Sequence, residues 1–538
     1  MIKSVRTRVL PQVWRSQAQL EAQLCRELAI SPRALRGIRM KHTSIDARQR
    51  QVMIQLDVDL YINEEPPALS YRPVEYRELK AQAPQAVVVG AGPGGLFAAL
   101  RLIELGVKPI LLERGRNVTD RRRDVALITR EQRVDPESNF CFGEGGAGAF
   151  SDGKLFTRSK KRGNVQSVLE GLCQFGADTG ILDASHPHIG TDRLPGIIAS
   201  IREQVIACGG EIHFETAVEH LIVNSQSSIT DSPEVMGVRT RDGREYLGPV
   251  ILATGHSARD VYRMLYRQGI MLETKGLAIG CRLEHPQELI DQIQYHSRQG
   301  RGQYLPAAEY SFVTQTSGSE GDRGVYSFCM CPGGVIVPSA TAAEQVVVNG
   351  MSASSRGSRW ANSAIVTQIL PDDVAVLAQQ LQLDVDPDSP LVMMEIQEAI
   401  ERHSWLNGGR TQVAPAQRMT DFVRGRLSAD LPDSSYTPGV IASPLHFWLP
   451  RFISSRMQQA LQVFGRKAHG FLTDQALLVG IETRTSSPVR IPRRPDTLCH
   501  PVVARLYPCG EGAGFAGGIV SAAMDGIRCA EALAAQCF

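Results

Sequence analysis

One short stretch of this sequence has the residue types and spacing to cradle a phosphorylated ligand. Gly90, Ala91, Gly92, Pro93, Gly94 and Gly95 follow the apolar Val87, Val88 and Val89, and precede a helical run over 96–105. Gly90 permits a tight turn, Gly92 lets the backbone approach a pyrophosphate, and Gly95 lets the helix pack closely on the strand. The helix start then offers free N–H groups and a positive dipole end to phosphate. A second strand over 109–112 ends at Glu113, beside Arg114. That is close to the offset of about 20 residues at which a carboxylate accepts hydrogen bonds from a ribose hydroxyl. Strand, glycines, helix, second strand and acid together predict a dinucleotide site.

Three further segments point to FAD rather than NAD. Residues 142–155 read FGEGGAGAFSDGKL. Backbone amides around Gly145, Gly146 and Ala147, with Ser151 and Asp152 nearby, can line a pyrophosphate or flavin edge where larger side chains would obstruct it. Taken alone, the stretch also reads as a flexible surface loop. The apolar run at 250–252 ends in Ala253, Thr254 and Gly255, which resembles the second signature of FAD-dependent reductases. By that resemblance the chain crosses over the cofactor there, and backbone near Val218 meets the adenine. Close to the C-terminus a strand over 506–508 leads into Gly510 and Glu511, and a helix starts at Gly517, Gly518 and Ile519. In that superfamily Glu511 stands where an acid meets the ribityl or phosphate region. The helix start points at the pyrimidine edge, where its dipole stabilises the anion formed on reduction.

Taken in order, these segments resemble the flavoprotein superfamily that includes the fumarate reductases. The stretches FGEGGAGAFSDGKL, HIGTD, ATGHSARD, CMCPGG, ETRTSSPVRI and PCGEGAGFAGGI are similar to a bacterial family of uncharacterised FAD-dependent dehydrogenases. The resemblance implies FAD, non-covalently held by default, and two-electron chemistry on an unspecified substrate. Two alternatives stay open: a flavin-dependent RNA-modifying protein, and a redox sensor in which FAD and a dithiol exchange electrons.

Candidate catalytic groups lie further along the chain. Cys329 and Cys331 are two apart; on an extended strand both face one side, with α-carbons about 6.6 Å apart. They read as a redox pair or a thiolate nucleophile, or else as two buried apolar cysteines before a turn. Arg484 either holds an anionic substrate or reduced flavin, or forms an interdomain salt bridge. His186, His188, Asp192, His256 and Arg259 read as structural, and Arg158, Lys160, Lys161 and Arg162 as a solvated loop. No second Gly-x-Gly-x-x-Gly sits between a strand and a helix, so NAD(P)H, as a transient electron donor, has to enter the interdomain cleft. No second cysteine pair at ligand spacing supports a metal.

These residues need scaffolds. The expectation is an α/β protein with a Rossmann-type FAD-binding domain assembled from discontinuous segments. It comprises a small N-terminal α+β module (1–63), a linker (64–84), the first part of the FAD domain (85–256), a middle substrate or cap domain (257–479) and the return to the FAD domain (480–538). In the N-terminal module Val5, Thr7 and Val9 alternate, Ser16 can cap a helix bearing Leu20, Leu24 and Leu28, and residues 52–62 alternate strictly. The 538 residues are 43% hydrophobic and 21% charged, with a formal net charge of +2. Near-neutrality argues against a nucleic-acid partner and leaves a small-molecule substrate or an electron-transfer partner. Neither a signal-like apolar N-terminus nor a membrane-length apolar run is present, and eleven scattered cysteines do not form a secreted framework. Both observations favour the cytoplasm.

Overall fold

The computed structural model describes residues 1–68, 70–157, 163–224 and 233–538, so the basic cluster Arg158, Lys160, Lys161 and Arg162 lies outside the described residues. The strands Ile2–Val9, Met53–Ile62 and Leu35–Asp46 form an antiparallel sheet in that spatial order. Alternation in 53–62 turns Ile54, Leu56, Val58 and Leu60 onto Leu20 and Leu24 of the Gln17–Leu28 helix. Ser16 starts that helix by accepting from the Gln19 N–H at 3.4 Å.

The second unit is a five-stranded parallel sheet in the order Leu506–Pro508, Val250–Leu252, Gln85–Val89, Lys108–Leu112, Glu211–His213. Numbered along the chain this is 3-2-1-4-5 read from the far edge, the order of a doubly wound dinucleotide-binding sheet. One edge strand therefore comes from the last tenth of the chain. The C-terminal helix Ile519–Cys537 lies against the helix Pro93–Glu104 so closely that a Cβ on Gly526 would sit 2.0 Å from the Gly94 carbonyl oxygen.

The stretch over 211–224 is divided between two sheets. Glu211–His213 joins the parallel sheet, Glu215 turns the chain with φ 52°, and Val218–Asn224 opens a separate three-stranded antiparallel sheet with Glu234–Thr240 and Glu245–Leu247. The break is imposed by main-chain bonds: the Glu215 N–H reaches the Gly115 carbonyl and the Thr216 N–H reaches that of Glu113.

The third unit is a seven-stranded sheet. Its order is Val313–Thr316, Arg323–Cys331, Trp360–Ile369, Leu277–Pro286, Leu477–Glu482, Ala414–Arg418, Val440–Ala442, antiparallel except for the last pair. The buried run Leu477–Glu482 pairs on both sides within this sheet and so crosses the expected 479/480 junction without interruption. Ile279, Leu283, Ile365, Ile396, Ile400 and Phe464 are among the residues of its core beneath the helices Val392–Asn407 and Arg451–Lys467. Among the described residues no helix is long and apolar enough to cross a membrane.

Gly526 separates two effects of opposite sign. Alanine in a helix interior is favoured over glycine by about 1 kcal/mol, whereas overpacking a close contact costs about 1–3 kcal/mol. With 2.0 Å to a backbone oxygen, packing wins, and Gly526→Ala should lower the urea midpoint. A raised midpoint would mean that the two helices separate freely.

Candidate functional site

The glycine turn is built by exclusion. Gly90 has φ +103° and a Cβ there would lie 2.5 Å from the Ala253 oxygen; a Cβ on Gly95 would lie 1.8 Å from that of Gly90. Gly92 differs: the nearest described atom to its would-be Cβ is 4.0 Å away, and at Gly517 and Gly518 none lies within 4 Å. These three glycines line a cavity of about 900 Å³, near the top of the range of about 300–1,000 Å³ seen for small-molecule pockets. The helices Pro93–Glu104 and Ile519–Cys537 begin on its wall, and neither first turn is capped by a side chain. Two sets of first-turn N–H groups without a side-chain cap and two positive dipole ends therefore converge on one space.

Glu113 is buried, and its two oxygens accept from the N–H groups of Ala91 (2.9 Å), Gly115 (2.9 Å) and Gly143 (3.0 Å). A carboxylate has roughly four acceptor positions, so one remains on a residue that lines the cavity. Its visible work is to tie the glycine turn to the 142–155 loop. Beside it, Arg114 also lines the cavity but is held by Glu137 and Asp260, each at 2.8 Å, with its guanidinium 4.4 Å from the Phe142 ring centroid.

Of the other expected cofactor residues, Gly94, Gly146, Ala147, Ser151, Asp152, Val218, Thr254, Gly255, Gly510, Glu511 and Ile519 all lie in the cavity wall. Gly95 and Gly145 do not. Gly95 sits under the turn, and the Gly145 N–H is engaged by the Ala91 carbonyl at 2.8 Å, so it offers no donor to a ligand. The Glu511 carboxylate faces the cavity-lining His256, with Nδ1 to Oε2 at 3.4 Å. His188 bonds the Ser354 carbonyl, and Asp192 accepts from Ser354 rather than capping the helix Leu194–Ala207.

The opposite wall comes from the seven-stranded sheet and includes Phe312, Tyr326, Phe328 and Cys329. Here the extended-strand geometry expected for the cysteines fails. Pairing with Trp360–Ile369 shifts register between Phe328 and Cys331, and Cys329 takes φ 46°. The bulge leaves Cys329 in the wall and Cys331 fully buried behind it, as free thiols. The buried Arg282 fastens this bulge: Nη2 donates to the Cys329 carbonyl (2.7 Å) and lies 3.2 Å from the Cys331 Sγ, Nη1 meets Glu482 (3.0 Å) and Nε meets Asn362 (2.7 Å). From the other side Lys154 bonds the Met330 carbonyl and Asp152, which also pairs with Arg356 at 2.7 Å. A hydrogen bond from Cys331, then the charges of Lys154 and Arg282, hold the Cys329 thiol well below its ordinary value against burial; Cys331 is pushed up. Burial raises the Glu482 carboxyl to about 7 despite Arg282.

Arg484 borders the cavity, yet its guanidinium is held by Glu401 through Nε and Nη2, both at 3.1 Å, and by Gln345 at 3.1 Å. Glu401 also takes Arg259 at 2.8 and 2.7 Å and the Thr483 hydroxyl at 2.6 Å. Of the two readings of Arg484, the buried salt bridge is the one realised. Cys509, Asp525 and Cys529 also cluster, but both Asp525 oxygens receive Arg493, at 2.6 and 2.9 Å, so a guanidinium fills the cation position. Sequence reasoning missed Lys154, Arg282 and Glu401. Only Lys154 carried a signal, two residues from Asp152 in the glycine-rich stretch.

Parallel sheet, glycine turn and paired helix starts on one cavity define a dinucleotide-binding α/β protein. Residues 276–485 match the family described as FAD-dependent protein, C-terminal domain-like, which makes FAD the supported dinucleotide, and residues 1–61 match a domain of unknown function (DUF8436). Over 531 residues the chain is 39% identical to an uncharacterized protein of Clostridium beijerinckii, covering 95% of each sequence, and it belongs to that protein's family. Solved structures it resembles include the flavin-dependent brominase Bmp2 (12% identity, 84% of this chain and 78% of that one, TM-score 0.34). Another is a geranylgeranyl bacteriochlorophyll reductase-like protein of Thermoplasma acidophilum (13% identity, 84% and 78%, TM-score 0.32). At these scores the fold assignment rests on the strand order.

Glu401 offers a direct test of the site's scaffold. Removing its charge strands two buried guanidinium groups, so Glu401→Gln should cost about 3–5 kcal/mol. Burial opposes ionisation of this carboxyl, but Arg259 and Arg484 outweigh it and hold its pKa far down. Its contribution is therefore complete above the unfolded carboxylate value of about 4.3 and fades as pH falls below it. Urea unfolding of both forms from neutral to acid pH should show the gap narrowing below that value. A constant gap would contradict the assignment.

Proposed function

We propose that the protein is a FAD-dependent oxidoreductase that moves two electrons between a small-molecule substrate or electron-transfer partner and non-covalently held FAD. The observation carrying this reading is the composition of one cavity. One end lacks Cβ atoms at Gly92, Gly517 and Gly518 and gathers two uncapped helix starts; the other is an aromatic wall ending at a cavity-facing thiol. Bound FAD would supply reversible two-electron chemistry.

The chain's own residues do the rest. N–H groups at the start of Pro93–Glu104 bind the pyrophosphate, with Glu113 keeping the turn rigid and its remaining acceptor position open to a ribose hydroxyl. Thr254, Gly255, Gly510 and Glu511, all in the cavity wall, would hold the ribityl region, and Val218 the adenine side. The start of Ile519–Cys537 stabilises negative charge at the pyrimidine edge. His256 and Glu511 face each other at the cavity wall. Substrate, or NAD(P)H as a transient donor, meets the face formed by Phe312, Tyr326 and Phe328. Arg484 positions the two sheets rather than touching substrate.

Gly92→Ala separates cofactor binding from folding. An added methyl meets only the Gly146 Cα, at 4.0 Å, so the stability loss should stay near the roughly 1 kcal/mol by which alanine is the poorer N-cap, while FAD affinity drops at least tenfold by calorimetry. Purified protein that neither retains FAD nor rebinds it overturns the proposal. Anaerobic titration with NADPH and NADH, following flavin absorbance, then assigns the reductant. Rapid bleaching by one of them makes the protein a pyridine-nucleotide-driven reductase; bleaching by dithionite alone makes the substrate or a partner protein the reductant.

A further inference from the structure

The Cys329-Met330-Cys331 bulge is built more elaborately than a cavity wall requires. A non-glycine residue with positive φ is uncommon and disfavoured, yet Cys329 holds φ 46° at the point where it faces the cavity. Two cations, the buried Arg282 and the half-buried Lys154, are anchored on its backbone. Arg282 bonds the Cys329 carbonyl and Lys154 the Met330 carbonyl. Cys331 sits directly behind, its Sγ 3.2 Å from the same Arg282 nitrogen. Asp152, 1% exposed and in the cavity wall, keeps Oδ1 without a hydrogen-bond partner while Oδ2 serves Lys154 and Arg356. Positive charge beside a thiol favours the thiolate, the reactive form.

We propose that Cys329 and Cys331 form a dithiol–disulfide couple that exchanges two electrons with FAD bound in this cavity, Cys329 facing the cofactor and Cys331 acting as its internal partner. This rests on the oxidoreductase reading above. In the oxidising direction the Cys329 thiolate and the Cys331 thiol form an S–S bond. The S–H bond of Cys331 breaks, and its proton with two electrons passes to oxidised FAD. The reverse step opens the disulfide at the expense of reduced FAD. Lys154 and Arg282 balance the thiolate charge in the reduced form, and the left-handed turn at Cys329 folds the chain so that the Cys331 thiol donates back to the Cys329 carbonyl at 3.4 Å. Cys509 and Cys529 also lie close together, so a count of total thiols does not separate the two pairs.

Trypsin does separate them, because the peptide spanning residues 324–356 contains only Cys329 and Cys331. FAD-bound protein is exposed to air and unfolded in alkylating agent, and the peptide is weighed; the measurement is repeated after anaerobic reduction. The expected result is an unalkylated peptide two hydrogens lighter in air and a doubly alkylated one after reduction. Dithionite titration of air-exposed protein should consume four electrons per FAD, falling to two in Cys331→Ser, where the remaining Cys329 thiolate gives a long-wavelength charge-transfer absorbance. A peptide already doubly alkylated in air, with two electrons consumed by the unaltered protein, overturns the dithiol and leaves the flavoprotein reading intact. Protein that binds no FAD overturns the flavoprotein reading instead.

Discussion

The two walls of the cavity are held in register by one buried carboxylate. Glu401, on the helix Val392–Asn407, accepts from Arg259 and Arg484 and from the Thr483 hydroxyl. Arg259 opens the first helix after the parallel sheet, and Arg484 follows the Leu477–Glu482 strand of the other sheet. One turn earlier Gln397 bonds both Arg259 and the Thr483 carbonyl. The face of one helix thus grips both points at which the chain passes between its two large sheets. Such a pair adds little net stability over apolar packing, but breaking it is expensive. Its effect is to allow one arrangement of the walls and penalise others.

Rigidity recurs on the other side of the cavity. Glu113 fixes the glycine turn, the start of the following loop and Gly143 through three main-chain donors. Arg121, fully buried, binds the carbonyls of Asn139, Glu144 and Gly146 and so shapes the same loop from behind. Donors fixed in advance need no reorganisation when negative charge arrives, which is where electrostatic stabilisation is largest. A charged side chain that orients backbone here contributes more than one pointing at the ligand, because the backbone N–H groups are the binding surface.

Local sterics made the dinucleotide frame legible in the sequence. The turn at Gly90 and the contact beneath Gly95 exclude a Cβ within a few residues of chain, and the return strand Leu506–Pro508 is announced by the glycines that follow it. What stayed hidden depends on distant partners. Arg282 and Glu482 are 200 residues apart, and Arg259 and Glu401 142; in sequence each looks like any charged residue. The even spacing of Cys329 and Cys331 implied one extended face, but pairing across Trp360–Ile369 inserted a bulge that sends them to different depths. Likewise the turn at Glu215 is held by the distant carbonyls of Gly115 and Glu113, and nothing local in the sequence announces it.

The thiol wall is also the place where the charge balance is softest. Lys154, Arg282 and Arg356 face Asp152, Glu309 and Glu482. Asp152 resists protonation despite its burial, because Lys154 and Arg356 hold its carboxyl at about 2. Glu482 is different: burial outweighs its single partner Arg282 and lifts it to about 7. Negative charge in this wall is therefore shared between Glu482 and the cavity-facing thiol, since placing it on one raises the proton affinity of the other. Glu482 and the bulge, far apart in sequence, are joined through one side chain, because Arg282 meets the Glu482 carboxylate, the Cys329 carbonyl and the Cys331 sulfur.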